Sequence, residues 1–344
     1  MEHLVTIGIP VYNVEPYVEK CLLSVLNQTY QHLEVLVVDD CSTDKSLDVV
    51  LRLKEQHPNG HWIKVVRQPR NMGVSEARNV VIGLANGEYL YFLDSDDFVE
   101  AQTIEMMVCH AEDNNADVVH ASSRTFIMRT GSYSGCYAYP LYKVVAGKGA
   151  FANLVCKSLR ANVSTLPFNV LFRIQFLRRY NLKFFGRNSE EFLFFSAYYA
   201  KVERAVLMPD VTYYYVIRDK SLMGYNSRDL IPVDEIRERF LVNERMTMGC
   251  GSVKEESFYC VHCAKVMKYK FRAVCVALRH RKRFSEWLTD SEIHKELRHP
   301  ASLKEILHFR RYRWYNLAFY IVAHLPSAVS VKLCYIVGKI IHWI

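Results

Sequence analysis

Tyr89-Leu90-Tyr91-Phe92-Leu93-Asp94-Ser95-Asp96-Asp97 is a run of five apolar residues that ends in three carboxylates. A short aromatic-rich run bounded by polar residues reads as a strand buried on both faces. Three earlier runs have the same character: Val5-Thr6-Ile7-Gly8-Ile9, closed by Pro10; Leu33 to Val38, closed by Asp39-Asp40; and Ile63-Lys64-Val65-Val66. Helical spacing separates them. Val18, Leu22, Val25 and Leu26 recur within Glu15 to Thr29, Ser42-Thr43-Asp44 offers caps for a helix through Leu53, and Ser75 to Ala85 precedes Gly87. Strands joined by helices of this length need right-handed crossovers, which predicts an α/β fold with a mostly parallel sheet flanked by helices. Ligands in such sheets bind beyond the carboxyl ends of the strands. Asp39-Asp40 and Asp94 to Asp97 therefore face one crevice.

Three carboxylates within four residues repel one another unless a cation or water relieves them. Hard oxygen donors select Mg²⁺ or Mn²⁺, and such ions also bind phosphate oxygens. A solvated acidic turn capping the helix from Phe98 accounts for the same residues without metal. Asn71-Met72-Gly73-Val74-Ser75-Glu76-Ala77-Arg78-Asn79 supplies the complement: Gly73 for a tight turn, Ser75 as a cap, and a helix start that projects Arg78 toward the crevice. A helix N-terminus with an arginine suits an anion such as a diphosphate. A capped helix with a surface arginine is the plainer alternative.

Five motifs in order, Pro10-Val11-Tyr12-Asn13, Ser24 with Gln28-Thr29, Val38-Asp39-Asp40-Cys41-Ser42-Thr43-Asp44, Asn71 to Asn79 and Leu93-Asp94-Ser95-Asp96-Asp97, span roughly the first 100 residues. Their spacing resembles the family 2 glycosyltransferases of GT-A fold, in particular bacterial surface-polysaccharide enzymes. The resemblance implies a nucleotide-diphosphate sugar donor, most often a uridine diphosphate sugar. It implies Asp40 on the base edge, Pro10, Val11 and Tyr12 lining the base pocket, Asn71, Arg78 and Ser95 around the donor, and Asp94 at the ribose. Asp96, with Asp97 beside it, would hold Mn²⁺ or Mg²⁺ against the phosphates. An inverting member also needs a carboxylate base for the acceptor hydroxyl. The family places it in a Glu-Asp pair that matches Glu190-Glu191 here, so Glu191 stands where Asp is usual and Glu190 is its alternative. Two glutamates opening a helix are also what the helix dipole favours. Tyr213 to Met223 resembles the family's closing strand and loop, with Arg218 as phosphate clamp. The resemblance ends near residue 225.

The implied organisation is a glycosyltransferase domain over residues 1–230, divided into nucleotide-sugar binding (1–125) and acceptor or catalytic (126–230) parts. A helical, basic region over 231–344 follows. Half the 344 residues are hydrophobic and 23% are charged, which suits a globular chain with a sizeable core. The net charge of +8 is uneven, since residues 265–344 hold 16 Lys and Arg against 5 Asp and Glu. Ten scattered cysteines and no basic leader before the first strand point to a reducing, cytoplasmic location. Cys260 and Cys263 form a lone CxxC, read as two thiols on a helix face. From Trp314 to Leu325 the chain is apolar, but Pro326 breaks the run and Lys332 and Lys339 punctuate the next. This is too broken for a spanning helix. Two interfacial helices fit it, with Trp314, Tyr315 and Trp343 at headgroup depth and Arg310, Arg311 and Arg313 toward anionic lipid. A helical pair packed on protein is the competing arrangement. Nucleic acid is not an expected partner, since no nucleic-acid module accompanies the basic residues. The expected partners are the donor, a glycan or lipid-linked glycan acceptor, and the cytoplasmic face of an inner membrane. A polyprenyl-phosphate acceptor, or a module that binds without catalysis, are the alternatives.

Overall fold

The computed structural model describes residues 3–160, 163–187, 190–217 and 228–344. Its strands are β1 (Val5–Val11), β2 (Leu33–Asp39), β3 (Ile63–Arg67), β4 (Tyr89–Phe92), β5 (Phe98–Val99), β6 (Val118–Ile127), β7 (Ser132–Tyr137), β8 (Lys143–Ala146), β9 (Val170–Arg173) and β10 (Arg204–Ile217). The helices are α1 (Glu15–Leu26), α2 (Ser46–Gln56), α3 (Val74–Leu84), α4 (Thr103–Asp113), α5 (Ala150–Val155), α6 (Ile174–Arg179) and α7 (Glu190–Tyr199). They continue as α8 (Val233–Gly249), α9 (Tyr259–His280), α10 (Asp290–Glu296), α11 (Leu303–Leu307), α12 (Arg313–His324) and α13 (Ser327–Ile340). Two compact units result. One comprises Met1–Phe151, Val163–Phe185 and Lys201–Ser221; the other comprises Ala152–Asn162, Gly186–Ala200 and Leu222–Ile344.

The first unit holds one sheet in the order β3-β2-β1-β4-β9-β6-β10-β5, with β7 on β6 and β8 on β10. β3, β2, β1 and β4 are parallel neighbours, as the strand–helix alternation requires. Every residue of β2 is buried, because helices cover both faces of a parallel sheet. The direction changes at β9, antiparallel to both β4 and β6. β10 then runs parallel to β6, while β5, β7 and β8 pair antiparallel. The parallel arrangement thus belongs to the first four strands, and the sheet beyond them is mixed. Gly8 lets α3 lie close on β1: a Cβ there would sit 2.4 Å from Val81 Cγ1.

Two helix starts differ from expectation. α3 is capped by Gly73, at a φ of 92°, and Ser75 is a buried residue of the first turn. α2 begins after Lys45, with Asp44 Oδ1 accepting the Ser46 N–H at 3.0 Å. In both places the side chains expected as caps are committed to tertiary packing or to the neighbouring loop.

The second unit is helical. Its core gathers Phe271 and Val274 of α9, Ile293 of α10, Val331 and Cys334 of α13, and Leu288 and Leu297. α9 is buried around most of its circumference, Cys260 and Cys263 included. All ten cysteines are unpaired thiols. The tail forms two short helices that meet at Pro326, as its sequence suggests, and no helix among the described residues is long and apolar enough to cross a membrane. The tail also contributes to this core. Trp343 and Phe319 lie against Phe271 at centroid distances of 5.8 and 5.5 Å, and fully buried Asn316 bonds His299 Nε2 at 3.0 Å. Of the three aromatics expected at headgroup depth, only Trp314 projects outward, 77% exposed; Tyr315 packs on Phe319. Arg311 donates to the carbonyls of Cys156 and Lys157, and Arg313 to that of Phe309.

Candidate functional site

The register of the parallel strands aligns Val11 with Asp39, and Asp39 with Arg67, at their carboxyl ends. Val11 is buried and Tyr12, just past the strand, is 41% exposed, with partly exposed Pro10 behind them. The chain then turns at Asn13, whose φ is 50°. Asn13 Oδ1 accepts the Thr43 N–H at 2.8 Å, Asp44 Oδ2 accepts that of Glu15 at 3.0 Å, and Ser46 Oγ accepts that of Val14 at 2.8 Å. Gln28 fastens the far end of α1, donating to the Glu100 carbonyl at 2.7 Å and accepting from Ile104 N at 3.1 Å. Much of the motif signature is therefore a set of polar ties that hold the crevice loops.

Asp39 is fully buried; its Oδ1 accepts from Ser42 N at 3.1 Å, and its Oδ2 lies 3.2 Å from Arg67 Nε. Asp40, 3% exposed, grips the segment before α3. Its Oδ1 accepts from Gln68 Nε2 at 2.9 Å and Met72 N at 2.6 Å, and its Oδ2 accepts from Gly73 N at 2.7 Å. A carboxylate offers about four lone-pair sites, so about one acceptor position remains on Asp40. Asn71 sits partly exposed in the gripped turn.

The 94–97 segment is a turn closed by Asp97 N donating to the Asp94 carbonyl at 3.0 Å, with Ser95 buried. Asp94 and Asp96 keep partial exposure, whereas Asp97 is turned inward. The Asp97 carboxylate accepts from the Tyr213 hydroxyl and, at 2.7 Å, from Val216 N, both on β10. This differs from the expectation that Asp97 helps hold a metal: both its oxygens tie the acidic turn to the sheet. Burial, reinforced by the charges of Asp96 and Asp94, holds its pKa well above the ordinary carboxylate range. From α3, Arg78 reaches the acidic turn. Its buried guanidinium donates to Asp94 Oδ1 at 2.8 Å and lies 5.2 Å over the Phe184 ring, so its charge is shared with the acidic turn. Asn79 fixes Phe184 in turn, with two hydrogen bonds to its backbone at 2.9 and 3.0 Å.

Gln68, Tyr213 and Phe184 were not singled out from sequence as site residues, because nothing local distinguishes them. Glu190 and Glu191 open α7 in the second unit, Glu190 buried and Glu191 partly exposed. Next to them, Phe192 packs on Tyr269 with centroids 4.5 Å apart. Tyr269 has its pKa pushed up to about 12, chiefly by burial, with the Glu191 charge contributing. Arg218 lies outside the described residues. His3, Glu88 and Glu112 form the one cluster of three metal-ligand types found among the described residues, at the amino ends of the strands. Arg173 bridges its two carboxylates at 2.5 and 3.5 Å, which makes it an ion-pair staple.

Known proteins resemble this chain. An uncharacterized glycosyltransferase of Haemophilus influenzae is 36% identical over 119 residues, 35% of this chain and 46% of that protein. A poly(ribitol-phosphate) beta-glucosyltransferase of Bacillus spizizenii is 29% identical over 219 residues, 62% of this chain and 32% of that protein. This chain thus spans less than half the length of either relative. TarS of S. aureus, residues 1–349 in complex with UDP-GlcNAc, superposes with a TM-score of 0.66 at 20% identity, covering 96% of this chain and 92% of that one. At that identity the likeness is one of fold. The model of glycosyl transferase family 2 matches residues 6–184, which takes in the parallel strands, the Asp40-gripped turn and the acidic turn. The chain belongs to glycosyl transferase family 2.

Proposed function

We propose that this chain is an inverting glycosyltransferase that moves one sugar from a uridine diphosphate donor to a hydroxyl of a glycan acceptor in surface-polysaccharide synthesis. One observation carries this reading. At the carboxyl ends of four parallel strands, Asp40 organises the turn that opens α3, and the Arg78–Asp94 pair holds the acidic turn beside it. The acceptor position left on Asp40 suits the imide N–H of uracil, and the α3 N-terminus suits a diphosphate. Asp94 and Asp96 are the partly exposed hard-oxygen donors of the acidic turn, so the donor set fits Mn²⁺ or Mg²⁺. Asp96 would hold the ion, and Asp97 keeps the turn in place through Tyr213 and Val216. The bound ion supplies charge neutralisation for the departing diphosphate. Glu191, or Glu190 beside it, would take the proton of the acceptor hydroxyl. The complex named for TarS contains UDP-GlcNAc, and the Bacillus spizizenii relative is named for a poly(ribitol-phosphate) acceptor; both support this substrate class.

The test is a panel of nucleotide sugars with Mn²⁺ or Mg²⁺, scored for donor hydrolysis by wild type and Asp96→Ala. Metal-dependent turnover of a uridine diphosphate sugar is expected in wild type alone. Equal turnover in the variant at saturating metal sinks the assignment. Polyprenyl phosphate accepting the sugar in place of any glycan would convert the reading to the lipid-phosphate alternative.

A second observation favours a lipid-linked acceptor at the cytoplasmic face of a membrane. Ile321 on α12, and Leu333, Ile336 and Ile340 on α13, are exposed. After Glu305 the chain has no acidic residue, only Arg310, Arg311, Arg313, Lys332 and Lys339. An apolar surface flanked by cations alone is matched to anionic lipid.

A further inference from the structure

We propose that the helical unit carries a second ligand site, a saccharide-binding cleft between α8, α9 and α10, that engages the glycan acceptor. The ligand class rests on the glycan-transfer reading above; the cleft itself does not. Its volume is about 570 Å³, within the roughly 300–1,000 Å³ of small-molecule sites. All its lining residues lie between Arg237 and Pro300, in the second unit, whereas the donor residues lie in the first.

Helical spacing builds one wall. Phe240, Leu241, Glu244, Thr247 and Met248 share a face of α8 and line the cleft. The floor holds two buried polar groups. Lys270 is 2% exposed and donates to Thr247 Oγ1 at 3.0 Å and the Arg298 carbonyl at 2.8 Å. Glu296 is 5% exposed and accepts from Asn243 Nδ2 at 2.6 Å. Each senses the other's charge, yet among the described residues they make no direct ion pair. One ammonium hydrogen and one carboxyl oxygen therefore stay available to a ligand or to water entering the cleft.

Charge decides what completes them. A cation entering the cleft meets Lys270, Lys295 and Arg298; an anion meets Glu244 and Glu292, while burial keeps Glu296 protonated up to about pH 8. A neutral hydroxyl meets neither penalty, because it can accept from the Lys270 ammonium or exchange a hydrogen bond with the protonated Glu296 carboxyl group. Neighbouring hydroxyls on a sugar ring present that chemistry repeatedly, and Phe240, Leu241 and Met248 offer an apolar wall to its C–H face. At the mouth, Arg237 is fixed by Glu286 at 2.9 Å and Glu292 at 3.2 Å.

The test uses the full chain on an array of bacterial surface-polysaccharide fragments, then calorimetry with the best-bound oligosaccharide. Leu241→Trp fills the cleft from an exposed position, and Glu296→Gln keeps the Asn243 bond while changing the floor; melting curves check both folds. Wild type and Asp96→Ala should bind equally, with at least about tenfold weaker binding in the two cleft variants. The proposal is overturned if wild type binds no fragment, if Leu241→Trp binds normally, or if Asp96→Ala alone loses binding. Cleft-dependent binding by a wild type that turns over no nucleotide sugar would refute the transfer reading and leave the cleft standing.

Discussion

Replacing Asp40 by Asn tests the polar clamp at the centre of the site. The carboxylate accepts three buried donors: Gln68 Nε2 and Met72 N on one oxygen, and Gly73 N on the other. An amide keeps one acceptor oxygen and turns an N–H₂ toward the third donor. If the oxygen stays on Gln68 and Met72, Gly73 N loses its partner. A buried donor left unmade costs about 1–3 kcal/mol, and hydrogen bonds to a charged group exceed neutral ones by roughly 1 kcal/mol each. Relaxation of the turn toward water recovers part of this, so the net loss should be about 3 kcal/mol. At about 1.4 kcal/mol per tenfold, opening of the turn becomes roughly 100-fold more frequent. Hydrogen-exchange mass spectrometry should show that acceleration in peptides covering 68–75 while the β4 peptides stay protected. Calorimetry with UDP should show weakened binding. Unchanged exchange in 68–75 would refute the clamp. A loosened turn with unchanged UDP affinity would refute the assignment of Asp40 to the base.

Glu191→Gln should lower transfer by about 10²–10⁴-fold with UDP affinity little changed, as loss of a general base does; the same loss in Glu190→Gln alone would move the role to its neighbour. On the tail, Ile336→Glu with Ile340→Glu should reduce sedimentation with anionic vesicles without lowering the melting temperature, since both side chains are exposed. Wild-type binding should weaken with salt, each basic residue near the surface being worth about 1 kcal/mol; equal binding to neutral vesicles would contradict it. Deleting 314–344 should instead unfold the second unit, because Asn316, Phe319 and Trp343 belong to its interior. Burial lifts the Glu296 pKa to about 8 from an ordinary 4.5. The folded form therefore keeps a proton that the unfolded chain releases, a stabilisation complete below about 4.5 and lost as pH rises through about 8. Denaturant titrations across that window should show the decline, flattened in Glu296→Gln; identical slopes would rule the group out.

Strand and helix order in the first hundred residues was legible because it rests on local periodicity: buried runs, helical spacing and turn residues. The placement of Asp39-Asp40 and of Asp94 to Asp97 on one edge followed from parallel crossovers alone. The α12–α13 break was likewise written in Pro326. The partners of the carboxylates were not legible, since hydrogen bonds obey no sequence period. Asp97 looked equivalent to Asp96 until β10 brought Tyr213, 116 residues away, against it. Arg78 looked like a free phosphate ligand until α3 set it beside Asp94. The tail's composition suited an interface with lipid, protein packing being the competitor, and helix packing divided its residues between a buried face around Phe271 and an exposed face around Ile340. Lys270 and Glu296 sit 26 residues apart on different helices, so only the docking of α10 on α9 made them the floor of one cleft. Sequence by itself determined which chemistry gathers at the strand ends, because backbone propensity and apolar patterning act over a few residues. Tertiary structure decided which partners within the protein hold those groups, because that choice depends on register and helix docking far along the chain.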